Sequence, residues 1–414
     1  MLAAVWFWLF AWVMWWLNAH LGVQGAPPVL TFIAVFSLPI LLKKRPSLSS
    51  DAIAFGAFMA WCIASTFWSP GRAEGLFSLN FETANLSISS PALRLTLTSL
   101  VCGFAFWALH QLKDKDYKLG LYAMRAGLGI QVGLMMIWVF AFQLVFDFAR
   151  TLTDAPSAFQ NMIRVINITV LMVPLIAVAI PVKSMAVKWV AGVLMMIGLM
   201  TLTSRPGFDA GAAALAALAV AATVGVTALV GRHIYRLLGL ATALGVMTMP
   251  VAVHFLLSAV HQSSTMSNQA RLDSWNYVLQ KIMERPITGW GVEASKTWDE
   301  TVRIIGAAGR EVDYRIVPGH PHNGGLQIWS ETGLIGAILV SVFALLLGDR
   351  LARTCSSSKQ IIAAGAALWG GGLVYSAISY NVWNDAYWAT FLFVATGVLA
   401  LSRLNTAKPE AGAK

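Results

Sequence analysis

Long apolar runs alternate with short polar connections along most of the chain. The runs fall at residues 2–18, 28–42, 51–68, 92–110, 119–146, 164–181, 185–203, 208–230, 235–257, 326–347, 361–380 and 386–402. A helix needs about 20 apolar residues to cross a bilayer. The second and last runs are short, as expected of tilted spans or of spans in locally thinned lipid. The pattern predicts an all-α integral membrane protein of about twelve transmembrane helices. It breaks once, over 258–325, where a long polar stretch contains RLDSWNYVLQKIME from Arg271 to Glu284. Apolar residues recur there at Leu272, Trp275, Leu279, Ile282 and Met283. That is helical spacing, so the loop is expected to carry an amphipathic helix lying at the membrane surface. Arg285-Pro286 ends it, and the ITGWG run that follows is turn-like.

Composition agrees. The chain is 57% hydrophobic, 12% charged and has a mean hydropathy of +0.68, whereas a soluble domain carries about a quarter charged residues. The net charge of +10 therefore points to membrane orientation and not to nucleic acid. With a cytoplasmic N-terminus, the cytoplasmic connections hold Lys43, Lys44 and Arg45; Lys113, Lys115 and Lys118; Lys183 and Lys188; Arg232 and Arg236; Arg350, Arg353 and Lys359; and Arg403, Lys408 and Lys414. The short outward connections hold Arg72, Arg150, Arg164 and Arg205. This positive-inside bias puts both termini in the cytoplasm and the long loop outside. The chain divides into helices at 1–257, an outer loop at 258–325, helices at 326–402 and a tail at 403–414. Trp15, Trp16, Trp68, Trp383 and Trp388 stand near segment ends, where interfacial anchors are expected. Cys62, Cys102 and Cys355 lie in or beside apolar runs, so no disulfide framework is suggested. The first run lacks a basic leader and a small-residue cleavage site and reads as a retained helix.

Chemistry concentrates at the outer ends of the helices. The run HPHNGGLQIWSETGLIG spans His320 to Gly336. Asn323 precedes a helix and is placed to cap it. A histidine at a helix N-terminus tends to stay neutral and so can accept a proton near pH 7. The alternatives are a plain polar turn, or a His-x-His metal site lacking any clear third ligand. Arg205, in a tight turn between two long apolar helices, is expensive at that depth unless it meets a partner. Arg271 opens the loop helix. Guanidinium forks suit phosphate oxygens; the alternatives are that Arg205 snorkels to the interface and that Arg271 decorates a helix surface. Arg94 would add to an outer basic site. Asp385 either orients a histidine or arginine or caps the last helix, and Glu331 is placed to form a buried ion pair with an outer arginine. Gly370-Gly371-Gly372 would permit close helix contact. The chain has no Walker loop, dinucleotide fingerprint or serine elbow.

These residues resemble the O-antigen ligase family. Its pattern of His-Asn, nine residues and Gly-x-x-Gly is met by His322-Asn323, Gly324 to Thr332, Gly333 and Gly336. Ala337 departs from the Asn, Thr or Tyr that often follows. Arg271 with Trp275 matches an Arg-x-x-x-Trp motif, and Pro286, Gly289 and Gly291 match Pro-x-x-Gly-x-Gly. Ser204-Arg205 matches the Ser-Arg that closes an earlier helix. The likeness covers about 204–336.

The resemblance implies a GT-C-like glycosyltransferase of the bacterial inner membrane, working on the periplasmic face without a cofactor. It would move a glycan from undecaprenyl diphosphate to lipid A–core oligosaccharide, by inversion and without metal. His322 would be the base, Arg205 and Arg271 would hold the diphosphate, and His320, Asn323, Asp385 and Arg94 would support them. An O-antigen polymerase or a protein O-oligosaccharyltransferase shares this donor and differs in acceptor. A secondary transporter or flippase would instead call for internal repeats and charges at mid-membrane.

Overall fold

The computed structural model describes residues 26–43, 47–72, 77–80, 85–152, 155–205, 210–260, 266–305, 311–355 and 357–406. The predicted first helix at 2–18, with Trp15 and Trp16, lies outside them.

Each later apolar run becomes helix. In chain order these are α1 (Ala26–Lys43), α2 (Ser50–Ser65), α3 (Pro91–His110), α4 (Asp114–Phe140), α5 (Phe142–Leu152), α6 (Ala155–Ala179), α7 (Met185–Thr203), α8 (Ala210–Val230), α9 (Ile234–Ala259), α10 (Met266–Glu284), α11 (Gly324–Thr354), α12 (Lys359–Ile378) and α13 (Asp385–Thr406). Among the described residues, eight stretches are long and apolar enough to cross a membrane. One of these, Gly211–Ala259, is divided into α8 and α9 by a turn at Gly231–His233. α1 and α2 are shorter apolar helices. The chain is thus an all-α polytopic membrane protein. Local chemistry sets several starts. Ser90 accepts from the Leu93 amide with Pro91 at the first helical position of α3, and Ser184 does the same for α7 through Val187.

α6 is the central helix. Most of its apolar length is covered by protein, whereas α7 and α3 show most of theirs to lipid. α12 reaches three neighbours through its glycines. A β-carbon at Gly370 would meet Thr223 of α8, at Gly371 Leu171 of α6, and at Gly372 Phe391 of α13. The predicted close contact is therefore present. α9 and α11 pack closely too, with Gly239 against the Ala344 carbonyl and Gly348 against that of Tyr235. Pro250 in α9 has no amide for the Val246 carbonyl, and Trp329 Nε1 of α11 supplies the missing donor at 2.8 Å.

The expected run 119–146 is two helices. Ala141 leaves helical geometry (φ −128°, ψ 41°), and α5 begins at Phe142 as a separate amphipathic helix. The polar loop is more structured than expected. α10 starts earlier, at Met266, and buries Trp275, Val278 and Ile282 against α11 and the end of α9, while Met283 is 80% exposed. Met283 is one residue round from Ile282, about 100° of helix, and so leaves the buried stripe. Two antiparallel hairpins were not anticipated: β1 (Phe77–Asn80) with β2 (Asn85–Ile88), and β3 (Thr301–Ile305) with β4 (Glu311–Arg315).

α11 is broken at Gly333 (φ 67°, ψ −167°), a conformation open essentially to glycine alone. The break frees backbone groups that must find partners away from water. The segment Pro286–Gly291 supplies most of them. The Ser330 and Glu331 carbonyls accept from the amides of Trp290 and Gly291, both at 2.8 Å. The amides of Leu334 and Ile335 donate to the carbonyls of Pro286 and Ile287 at 2.9 and 3.3 Å. Trp61 Nε1 of α2 takes the Thr332 carbonyl at 2.8 Å. Two motifs far apart in sequence, Pro-x-x-Gly-x-Gly and Gly-x-x-Gly, are thus two halves of one joint. A β-carbon on Gly333 would lie 2.2 Å from the Ile287 carbonyl oxygen. Gly333→Ala is expected to destabilise the protein by about 3 kcal/mol, read as a lowered unfolding temperature in detergent.

Candidate active site

The end of the bundle that carries the α9–α11 connection gathers the predicted polar residues. Trp275 of α10 donates its indole N–H to the Pro321 carbonyl at 2.8 Å, fixing the His320-Pro321-His322 turn to the loop helix. Arg271 lies one helical turn before Trp275, on the same face; its Nη1 donates to Asn268 Oδ1 at 3.1 Å. Asn323 caps α11, its Oδ1 accepting from the Leu326 amide at 3.0 Å, as expected from the sequence.

His322 adopts a left-handed backbone (φ 51°), uncommon for any residue but glycine. This turns its ring beside that of His320, with centroids 4.1 Å apart. Both rings converge on one backbone carbonyl, that of Ser379. His322 Nδ1 lies 3.0 Å from it and His320 Nε2 lies 3.3 Å from it. A carbonyl only accepts, so each of these nitrogens carries the proton. In neutral His322 the lone pair is then on Nε2, the tautomer a base requires. Burial, with a smaller electrostatic contribution from the neighbouring His322, holds the pKa of His320 down at about 4. His320 therefore stays neutral through the physiological range.

Ser379 belongs to the α12–α13 turn, which a buried polar group holds in place. Gln327 Nε2 donates to Asn381 Oδ1 at 3.0 Å, and Gln327 Oε1 accepts from the Val382 amide at 3.1 Å. Glu331 is completely buried and takes donors from three segments. They are Ser295 Oγ at 2.6 Å, the Glu293 amide at 2.7 Å, Gln327 Nε2 at 3.3 Å and the indole N–H of Trp383. The expected ion pair between Glu331 and an arginine is absent among the described residues; neutral donors fill the carboxylate instead. Two of the expected interfacial tryptophans also serve this region. Trp383 is buried on Glu331, and Trp68 donates to the Gly289 carbonyl at 3.2 Å.

Arg205 sits at the end of α7. Its Nη2 donates to the Val139 carbonyl at 3.3 Å, and its guanidinium stacks over Phe142 of α5 at 4.6 Å. Among the described residues its buried Nε has no hydrogen-bond partner and no carboxylate pairs with it. Arg94 is not part of the histidine turn; it pairs with Glu293. Asp385 Oδ1 accepts from the next amide, that of Ala386, at 2.9 Å, and pairs with no histidine or arginine among the described residues. The helix cap expected of Asp385 is made by Asn384 instead, whose Oδ1 accepts from the Tyr387 amide at 3.1 Å. Ser379, Gln327 and Glu293 were not anticipated. Each acts through a partner more than 30 residues away, beyond any local spacing rule.

Fold and site together define a polytopic membrane protein with a histidine pair at the start of α11 and, at the end of α7, a buried arginine nitrogen without a partner among the described residues. Residues 170–341 match the family described as "O-Antigen ligase", a span that contains Arg205, Arg271, His320, His322 and Gly333. Over this region the chain is similar to the O-antigen ligase family. Relatives named "Putative polysaccharide ligase" are similar to it. That of Rickettsia conorii is 31% identical over 161 residues, covering 36% of this chain and 37% of the relative. That of Rickettsia felis is 30% identical over 156 residues, with the same shares, 36% and 37%. That of Rickettsia prowazekii is 30% identical over 135 residues, 31% of each chain. The chain thus spans about a third of the length of the curated relatives it matches. No solved structure matches it.

Proposed function

We propose that the protein transfers a glycan from a polyprenyl (undecaprenyl) diphosphate to a hydroxyl of lipid A–core oligosaccharide, on the periplasmic face of a bacterial inner membrane. The observation that carries this reading is the shared Ser379 carbonyl. With the proton held on Nδ1, the lone pair of neutral His322 is on Nε2, the nitrogen we assign to the acceptor hydroxyl.

His322 Nε2 takes the hydroxyl proton as the oxygen attacks the anomeric carbon. The bond from that carbon to the diphosphate breaks, and its electron pair leaves on the diphosphate. Arg205 and Arg271 meet the charge that develops there. The buried, unpartnered Nε of Arg205 supports its share in this, because an orphaned buried donor is costly unless a ligand completes it. Two guanidinium groups match a diphosphate diester in charge, so no metal enters the proposal. Direct displacement inverts the anomeric centre. Retention would need a carboxylate nucleophile, and Asp385, the only candidate, is engaged with its own helix.

The test is transfer in detergent by purified protein, with carrier-linked glycan and lipid A–core in the presence of EDTA. Wild type is expected to form product. Arg205→Ala and Arg271→Ala are each expected to lower kcat/KM for the donor by about 10²-fold, the worth of one lost charge-assisted contact to developing charge. Lengthened carrier-linked glycan with unmodified lipid A–core would replace the ligase reading with the polymerase one.

A further inference from the structure

A second cationic cluster lies beside the histidine turn and takes no part in the chemistry above. Glu293 is buried in a left-handed backbone conformation (φ 66°), and its amide is bound to Glu331. Two cations meet on a single oxygen of its carboxylate. Arg94 Nη2 comes from the first turns of α3, and Lys296 Nζ lies 2.7 Å away on the following short turn. Among the described residues neither side chain has another partner. A guanidinium offers five donors and an ammonium three, so most of their N–H groups remain for something else. One carboxylate cannot neutralise two cations. Glu331 does not make up the difference, because it pairs with neither cation among the described residues and already accepts from four neutral donors.

The cluster is next to the reacting groups. Ser295 Oγ, whose proton goes to Glu331, lies 3.1 Å from the Gly319 carbonyl, which sets Lys296 near the residues leading into His320. Both cations are open to solvent, with Arg94 26% and Lys296 44% exposed. A half-buried arginine and lysine converging on one point form a seat for a tetrahedral or planar oxyanion.

We propose that Arg94 and Lys296, joined through Glu293, form a second anion subsite that holds a phosphate group of the acceptor glycolipid while its hydroxyl faces His322. This rests on the transfer reading. The donor's diphosphate is matched by Arg205 and Arg271, so the unmatched charge here belongs to the other substrate.

The experiment measures transfer in phosphatidylcholine nanodiscs at saturating donor, with phosphorylated lipid A–core and with the same acceptor after phosphatase treatment. For wild type, removing the phosphate is expected to raise the acceptor KM about tenfold, the equivalent of one charge-assisted hydrogen bond. Lys296→Gln, an exposed site that should fold normally, is expected to raise the KM of the phosphorylated acceptor by the same factor. It should respond little to phosphate removal and leave the donor KM in place. Equal losses on both acceptors, or a shift in donor KM, would overturn the subsite. A Lys296→Gln loss seen only in discs containing phosphatidylglycerol would assign the cluster to phospholipid headgroups and overturn it too. Acceptor binding, followed by tryptophan fluorescence, separates the two proposals. If wild type transfers nothing yet binds phosphorylated acceptor about tenfold more tightly than Lys296→Gln, the subsite stands and the transfer reading falls. Absence of that binding difference removes the subsite.

Discussion

His322→Ala is expected to lower kcat for glycan transfer by about 10²–10⁴, the range spanned by a single general base. The structure makes this more than the loss of one imidazole. A left-handed backbone and a hydrogen bond to Ser379 present one nitrogen in one tautomer, and alanine removes both the base and the reason for that geometry. Stability should barely change, because the ring is only partly buried. Transfer kinetics and a thermal melt run side by side check the two statements. The neighbour gives the control. In the wild type His320 has a pKa of about 4, chiefly through burial and secondly through His322. With the burial by the rest of the turn retained, it is expected to stay largely neutral from pH 5 to 8, and residual activity of His322→Ala should vary little with pH there. Residual activity that rises with pH in that window would move the base to another group.

The helices were legible because lipid imposes one rule on the sequence. Every backbone group must be satisfied internally, so an apolar run of sufficient length becomes a helix. The rule weakens where apolar residues continue through a break. Phe140, Ala141 and Phe142 bridge α4 and α5 with no glycine or proline to mark the change. Outside the bundle the signals were mixed. The hairpin of β3 and β4 carries the two-residue alternation of a strand, Val302 and Ile304 opposite Tyr314 and Val312. The candidate site was half legible. His320, His322 and Asn323 announce themselves by adjacency, and Arg271 with Trp275 by helical spacing. Ser379, Trp383 and Glu331 do not, because their meaning lies in contacts between distant segments. Glu331 illustrates the error this invites. A lone carboxylate in an apolar helix suggests a cation as partner, yet tertiary structure brought it four neutral donors while the cation Arg94 went to Glu293.

That arrangement makes Glu331→Ala the substitution expected to cost the most stability. Truncation removes the acceptor of four hydrogen bonds at a fully buried position. Two of the donors have somewhere else to go. Ser295 Oγ already reaches the Gly319 carbonyl, and Gln327 Nε2 already reaches Asn381. The Glu293 amide and the Trp383 indole have no other acceptor among the described residues. Each buried donor left unsatisfied costs about 1–3 kcal/mol, so the loss should be about 4 kcal/mol, beyond a typical point substitution. Glu331→Gln keeps one carbonyl oxygen and should lose less than half as much. Thermal unfolding in detergent measures both. The two variants should also differ in activity in a way that stability alone does not produce. Trp383 anchors the turn that bears Ser379, and that carbonyl fixes both histidine rings. With the anchor gone, the imidazoles lose their common reference. At a temperature where Glu331→Ala is still folded, its kcat should fall at least tenfold with little change in donor KM. A folded variant with wild-type kcat would show that Ser379 holds its place without Glu331 and would detach this residue from the site.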